Sequence, residues 1–409
     1  MKRMVWALFF FAFLTGWATA KESTTISQRL IRGGFENVRV SPAGDDELAV
    51  AYENRLYRNE IKAAGIVLKL VEEGGGGFAR VRLYPCNRGV ALGQMVVDMA
   101  AYRSFLAGRI DAATFGKTLV VKPAAEMPAV PFTNWQNRSF LKTDITFTVG
   151  HQIQLGQYDD RVKIYGQFQP GLVSQLWPGN RVAAEAAIPF RDEIGIYHEE
   201  TRLARLTLSQ LFRLPRDVYA VIQTGIFVPE RWGLSVETAA FWAQRRFLSG
   251  VRWDRTGFLY HDEDKWFYSS MGRNTCKLYT NWFVPWFDMM VGVDYSQYLL
   301  GDKGWRFTVR RTFADTDIDV YFAMTDWDHF GGIQLRLPLP PSRRMRPARV
   351  RLTWPNQYTL GYRATSEASR LGGPLQTGLS VDTGWNLTDQ LGNFTPRHIV
   401  FNFESWKDH

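Results

Sequence analysis

Five aspartates crowd one short stretch of the chain: in FADTDIDVYFAMTDWD, residues 313–328, they stand at Asp315, Asp317, Asp319, Asp326 and Asp328. Acids at every second position are how a calcium-binding loop begins, with carboxylates at its first, third and fifth places. Such a loop needs glycine at the sixth place for its sharp turn, and that place is Val320. Asp317 and Asp319 instead alternate with Ile318, Val320, Phe322 and Met324, the period of a β-strand with its carboxylates on one polar face. Paired carboxylates also serve glycoside hydrolysis, but spacing of i and i+2 along a strand does not by itself make such a pair.

Other catalytic patterns are missing from the sequence. The six histidines stand singly, and His151 runs in phase with Phe147 and Ile153. No G-x-S-x-G, H-E-x-x-H, C-x-x-C or phosphate-cradling glycine loop occurs. The expectation is a non-enzymatic protein without cofactor, metal or catalytic residues; a barrel enzyme acting on lipid or glycan and a structural or adhesive barrel are the alternatives. Cations accompany the acids: Arg161, Lys163, Arg205, Arg306, Arg310, Arg336, Arg349 and Arg351 all fall on polar faces of alternating segments. They fit an internal ion-pair network, or a basic path for an acidic polysaccharide whose sugars stack on aromatics.

The elements that position these residues begin after residue 20. MKRMVWALFFFAFLTGWATA has Lys2 and Arg3, an apolar core and Ala18-Thr19-Ala20, the form of a cleavable secretory signal. Export leaves nucleic acid the least expected partner for a chain of net charge +9. With 14% aromatic residues and a mean hydropathy of −0.22, apolar and polar residues must be closely interleaved. No uncharged apolar run reaches the length of a helical membrane span.

Residues 21–122 read as a small α/β domain. GGFENVRV and ELAVAYEN are strand-like, Ile61, Gly65, Leu68 and Val71 line one face of a helix, and Gly74 to Gly77 end it. FARVRLY and ALGQMVVDM suggest more strands and AAYRSFLAGRI a short helix. Residues 123–141, rich in proline, read as a linker. From 142 to 406 the chain repeatedly alternates with period two, in segments such as DITFTVGHQIQL, RVKIYGQFQ, RLARLTLSQLF and WRFTVRR. Strands of ten or more residues, with tryptophans at their ends (Trp232, Trp242, Trp282, Trp286, Trp305, Trp354), match a tilted membrane-spanning strand better than a soluble sandwich. Because backbone groups in hydrocarbon must pair within the protein, such strands span only as a closed barrel, here of roughly twelve to fourteen strands. HIVFNFESWKDH, with Ile399, Phe401 and Phe403 on one face, reads as the final strand.

The run YSQYLLGDKGWRFTVRRTFADTDIDVYFAMTDWDHFGGIQLRLPLP resembles the signature region of YjbH/GfcD-type proteins, an outer-membrane β-barrel family of exopolysaccharide and capsule loci. The matching residues include Gly301, Asp302 and Gly304 of a G-D-x-G turn, Phe313 of the next strand, Thr325 and Asp326 of a T-D turn, and Gly332 and Pro338 of an I-x-L-x-L-P-L strand. Residues 34–58 and 231–247, the latter with Glu237, Gln244 and Arg245, resemble the same family. The resemblance implies a Gram-negative outer-membrane barrel preceded by a periplasmic domain, assisting export or surface assembly of an exopolysaccharide. It further implies lipopolysaccharide, the barrel-assembly machinery, an acidic polysaccharide and other export proteins as partners.

Overall fold

The computed structural model describes residues 24–44, 46–75, 77–124, 137–155, 162–193, 200–262, 265–365 and 377–407. The expected signal segment lies outside them. Two compact units divide the chain, one of residues 1–139, 346–348 and 399–409, the other of 140–345 and 349–398.

In the first unit, helix α1 (24–33) precedes strands β1 (Glu36–Pro42) and β2 (Glu47–Glu53), helix α2 (Glu60–Glu73) and strand β3 (Arg80–Asn87). There follow β4 (Val90–Ala91), β5 (Gln94–Asp98), α3 (Met99–Leu106), α4 (Ala112–Thr118) and β6 (Val120–Lys122). The sheet order is β1-β2-β3-β5-β6, with only β2 and β3 parallel. Asn59 caps α2 by accepting from the amides of Ile61 and Lys62, and the helix ends at Gly74. Ile61, Leu68 and Val71, the expected apolar face, are fully buried against β-strand residues such as Val50 and Val81.

The last residues of the chain belong to this core, which corrects the expected final strand. Pro396–Asn402 forms helix α6 and Phe403–Trp406 a 3-10 turn. Ile399, Phe403 and Trp406 are buried with Tyr102, Phe105 and Phe115. Their i, i+4, i+7 spacing is helical, whereas the i, i+2 face of a strand would need Phe401, which is exposed. Trp406 lies on helix α2 where Gly65 leaves room: a Cβ at 65 would stand 2.4 Å from the indole Cδ1. The indole N–H donates to the Ile61 carbonyl at 2.6 Å. Part of the proposed linker is also fixed. The Asn137 amide accepts from the Val38 N–H at 2.7 Å and donates to the Val38 carbonyl at 2.8 Å, pairing with the edge of β1 as another strand would.

The second unit is a large, predominantly antiparallel sheet. Its strands are β7 (Thr143–Leu155), β8 (Val162–Ser174), β9 (Asn180–Asp192), β10 (Arg202–Leu214), β11 (Val218–Phe227) and β12 (Arg231–Trp242). Then come β13 (Phe247–Asp262), β14 (Lys265–Tyr268), β15 (Arg273–Val284), β16 (Met289–Gln297), β17 (Lys303–Phe313) and β18 (Thr316–Thr325). The last are β19 (His329–Pro338), β20 (Val350–Thr353) and β21 (Gln357–Thr365). Fourteen strands form one hydrogen-bonded path from β20 through β7 to β19 and β21, and β14 pairs with β13 beside it. Most antiparallel pairs are neighbours in sequence, β13 with β15 and β19 with β21 excepted, and short turns such as 215–217, 228–230 and 314–315 hold the register. Gln244 and Arg245, in the family-like run 231–247, lie in the turn after β12 with positive φ.

Burial in this sheet is inverted. On β17, Trp305, Phe307 and Val309 are each at least 41% exposed, and on β18 so are Val320 and Phe322, while Asp319 next to Val320 is 3% exposed. On β10, Leu206, Leu208 and Phe212 are exposed and Arg205, Thr207 and Ser209 buried. Aromatics line up across strand ends on the apolar side: Trp242 stacks on Phe247 at 4.2 Å, and Phe247 on Trp282 at 6.4 Å.

Candidate functional site: the polar face and the segment laid against it

A stretch of chain, residues 377–395, is laid along the polar face. Five of its apolar side chains, Val381, Trp385, Leu387, Leu391 and Phe394, are buried. Its anchors are polar and come from nearly every strand it passes. Asp302, fully buried in the turn between β16 and β17, accepts from Thr377 Oγ1 and the Gly378 amide, both at 2.7 Å. Asp382 accepts from Arg205 at 2.7 Å and exchanges backbone bonds with Val228. Gln223 donates to Thr383 Oγ1 and the Trp385 carbonyl, each at 2.8 Å. Helix α5 (Leu387–Leu391) then begins: Asn386 caps it by accepting from the Asp389 amide, and the buried Glu237 carboxylate accepts from the Leu387 amide at 3.2 Å. Tyr279 holds the other Glu237 oxygen at 2.7 Å. At the far end Arg245 donates to the Phe394 carbonyl at 2.9 Å while gripping Asp217 with two bonds.

The densest contact is a ring of four charges. Arg310 meets Asp319 bidentately at 2.8 and 3.2 Å, and Arg336 donates to the same carboxylate at 3.0 Å. Both arginines also reach Asp389 of α5, at 3.2 and 3.4 Å. Alternating signs around the ring compensate two buried or half-buried guanidiniums that neither carboxylate alone could satisfy.

These anchors also show how strongly the sheet curls. Glu237 on β12 and Arg336 on β19 are six strand positions apart, roughly 29 Å along a flat sheet. Yet Leu387 touches one and Asp389 the other, two residues on in the same helical turn. Beyond that, His151 on β7 stacks on Tyr358 of β21 at 5.1 Å, with the phenol oxygen 2.6 Å from Nδ1, so two strands near opposite ends of the path touch. Among the described residues the hydrogen-bonded ladder itself does not run on from β21 to β7.

The sequence-selected residues sort accordingly. Asp317 and Asp319 lie on β18 as expected, Asp317 accepting from Thr312 Oγ1 at 2.8 Å, so the acidic run is a strand and its carboxylates are engaged by the protein. Arg205, Arg310, Arg336 and the buried Arg351 are ion-paired, Arg351 with Asp144 at 2.7 and 2.9 Å. Lys163 is half-buried on β8, and Arg306 is half-buried on β17. Arg349 departs from expectation: it precedes β20, its side chain is exposed, and its carbonyl accepts from the Thr143 amide. Arg161 lies outside the described residues. Among the signature residues, Gly301 turns with positive φ, Gly304 lies on β17 and Phe313 faces outward at its end. Thr325 shares a hydrogen bond with Thr377, Asp326 caps the Lys303 amide, and Pro338 ends β19 opposite Gln357. Neither cysteine is in a disulfide; Cys86 is buried and Cys276 exposed. Among the described residues no group of three or more His, Cys, Asp or Glu side chains could hold a metal ion. Of the histidines, His398 pairs through Nδ1 with Asp288, 3.1 Å from each oxygen.

Sequence reasoning missed the covering segment altogether. Its only signals are Asn386-x-x-Asp389, a helix start, and a composition too polar for a strand in hydrocarbon. Compared with models of known protein families the chain gives no match, and it matches no curated protein.

Proposed function

We propose that the second unit is a membrane-spanning β-barrel of the Gram-negative outer membrane, occupied by its own 377–395 segment, with the α/β unit on the periplasmic side. The observation that carries this reading is the inverted burial. An apolar face exposed over strand after strand, backed by a buried polar face, is stable only where the surroundings are themselves apolar. A soluble sandwich would place Trp305, Phe307, Val320 and Phe322 between its sheets. The curl of the sheet and the contact between His151 and Tyr358 support closure, as hydrocarbon requires of any spanning sheet.

Within that barrel the protein assists export or surface assembly of an exopolysaccharide, as a non-enzymatic component. This part rests on the resemblance of residues 298–339, whose turns and strands agree in order and spacing with the exopolysaccharide family. The ion-paired interior makes the resting state an occupied lumen, so passage of polymer requires the segment to move. Heat-modifiable migration on gels and β-rich circular dichroism in detergent test the barrel. Deletion of the gene tests the role: loss of surface polymer with unchanged lipid A is expected. Normal polymer with altered lipid A or glycan would overturn it in favour of an enzyme.

A further inference from the structure

Most inward arginines have a carboxylate partner. Two do not. Among the described residues no carboxylate lies within ion-pair distance of Arg306 on β17 or Arg363 on β21, and each has a buried Nε that makes no hydrogen bond. Leaving such groups buried is costly, so their persistence calls for a reason.

Their surroundings supply one. The Arg306 guanidinium lies over the Tyr321 ring, 4.3 Å from its centroid, and the Arg363 guanidinium over Phe330 at 4.0 Å. The two rings meet edge to face at 6.4 Å. Gly332, which pairs with both Tyr321 and Arg363, clears the space between them: a Cβ there would stand 2.7 Å from the Tyr321 hydroxyl. Arg363 is within electrostatic reach of Arg306 and Asp302. Asp302 spends Oδ2 on the covering segment and leaves a buried Oδ1 without a partner.

We propose that Arg306 and Arg363 bind the acidic group of a sugar, a carboxylate or phosphate, with Tyr321 as the aromatic face and Asp302 Oδ1 accepting a sugar hydroxyl. Asp294, opposite Arg306 across the strands, is already paired with Lys277 at 3.4 Å, so Arg306 and Arg363 face Asp302 with a net positive charge. The planar, delocalised guanidinium suits both kinds of acid, through paired N–H donors. Arg363 also donates to the Thr377 carbonyl, so an anion that draws it away loosens the first anchor of the covering segment.

The assignment rests on the reading of the polar face as a lumen that meets glycan. Its test is binding to the purified full-length protein in detergent, by calorimetry. The probes are an oligogalacturonate, glucose 1-phosphate, inorganic phosphate and neutral dextran, at two salt concentrations. An acidic sugar is expected to bind with salt-sensitive affinity, and Arg306→Gln and Arg363→Gln each to weaken it about tenfold or more. Preference for the oligogalacturonate or the sugar phosphate identifies the acid. Arg311→Gln, on the exposed side of β17, is expected to bind as the parent does. Dextran or inorganic phosphate binding as tightly as either acidic sugar would overturn the proposal, as would unchanged affinity in both variants. Heat-modifiable migration of each variant reports folding. Should either fail to fold, Arg306→Lys and Arg363→Lys keep the charge but lose the fork, and unchanged affinity in both would equally overturn it. Gel migration and surface polymer test the barrel reading independently, so the two can fail separately.

Discussion

Replacing Gly65 by alanine asks whether the chain end is packed into the α/β core or belongs to the sheet. In an ordinary helix interior the change would stabilise by about 1 kcal/mol, because glycine loses more backbone freedom on folding. Here the new Cβ would stand 2.4 Å from Trp406 Cδ1 and 2.7 Å from Cγ, both well inside normal carbon contact of about 3.5 Å. The indole is 3% exposed, hemmed by Phe403, Phe115 and Tyr102, and tied to the Ile61 carbonyl, so it has nowhere to yield. Overpacking of this kind costs about 1–3 kcal/mol, which exceeds the helix gain. Gly65→Ala is therefore expected to destabilise by up to roughly 2 kcal/mol. Trp406→Ala alone is expected to cost about 3–5 kcal/mol. In that background the sign reverses: adding Gly65→Ala should recover about 1 kcal/mol. Amide hydrogen exchange over residues 60–73 of the full-length protein in detergent reads each change. Stabilisation by Gly65→Ala with Trp406 present, or additivity of the two substitutions, would refute the packing described and return residues 396–406 to the sheet.

Asp319→Asn removes a carboxylate shared by two arginines and is expected to cost about 3–5 kcal/mol, seen as a lower temperature for loss of the heat-resistant gel form. Asp389→Asn leaves the Arg310–Asp319 bond in place and removes one of several anchors of the segment, so conductance of the protein in planar bilayers should rise modestly; an unchanged baseline would count against Asp389 as an anchor. Burial pushes the Glu53 carboxyl above its usual range, against the opposing pull of Arg55 and Arg88. The folded state then holds the proton more tightly than the unfolded one, so this stabilisation is full below the ordinary value of about 4.3 and is lost as pH rises through the raised one. Glu53→Gln should flatten that slope in exchange measurements across β2, and a slope equal to the parent's would count against the assignment. Asn137→Ala strips two bonds from the β1 edge and should speed proteolysis within residues 123–141, with a cost of about 1–3 kcal/mol.

Local pattern alone determined much of this molecule. Period-two alternation identified the long strands and put Asp317, Asp319, Arg310 and Arg336 on one face, because side chains in a strand alternate whatever lies beyond it. The glycine missing at position 320 removed the calcium loop for an equally local reason. Helix α2 and its end at Gly74 were legible from apolar spacing and glycine. Residues 396–406 were not, since Ile399, Phe401 and Phe403 fit a strand as well as Ile399, Phe403 and Trp406 fit a helix. The choice was made by Gly65 and by the aromatic core of Tyr102, Phe105 and Phe115, all far away in sequence. Tertiary structure alone decided which partner each polar side chain met. Asp319 and Asp389, or Asp302 and Thr377, are 70 and 75 positions apart, and a charge on a strand does not announce what will be laid against it. For the same reason only the folded chain distinguishes Arg310 and Arg336, closed in a ring of charge, from Arg306 and Arg363, left facing aromatic rings without a carboxylate.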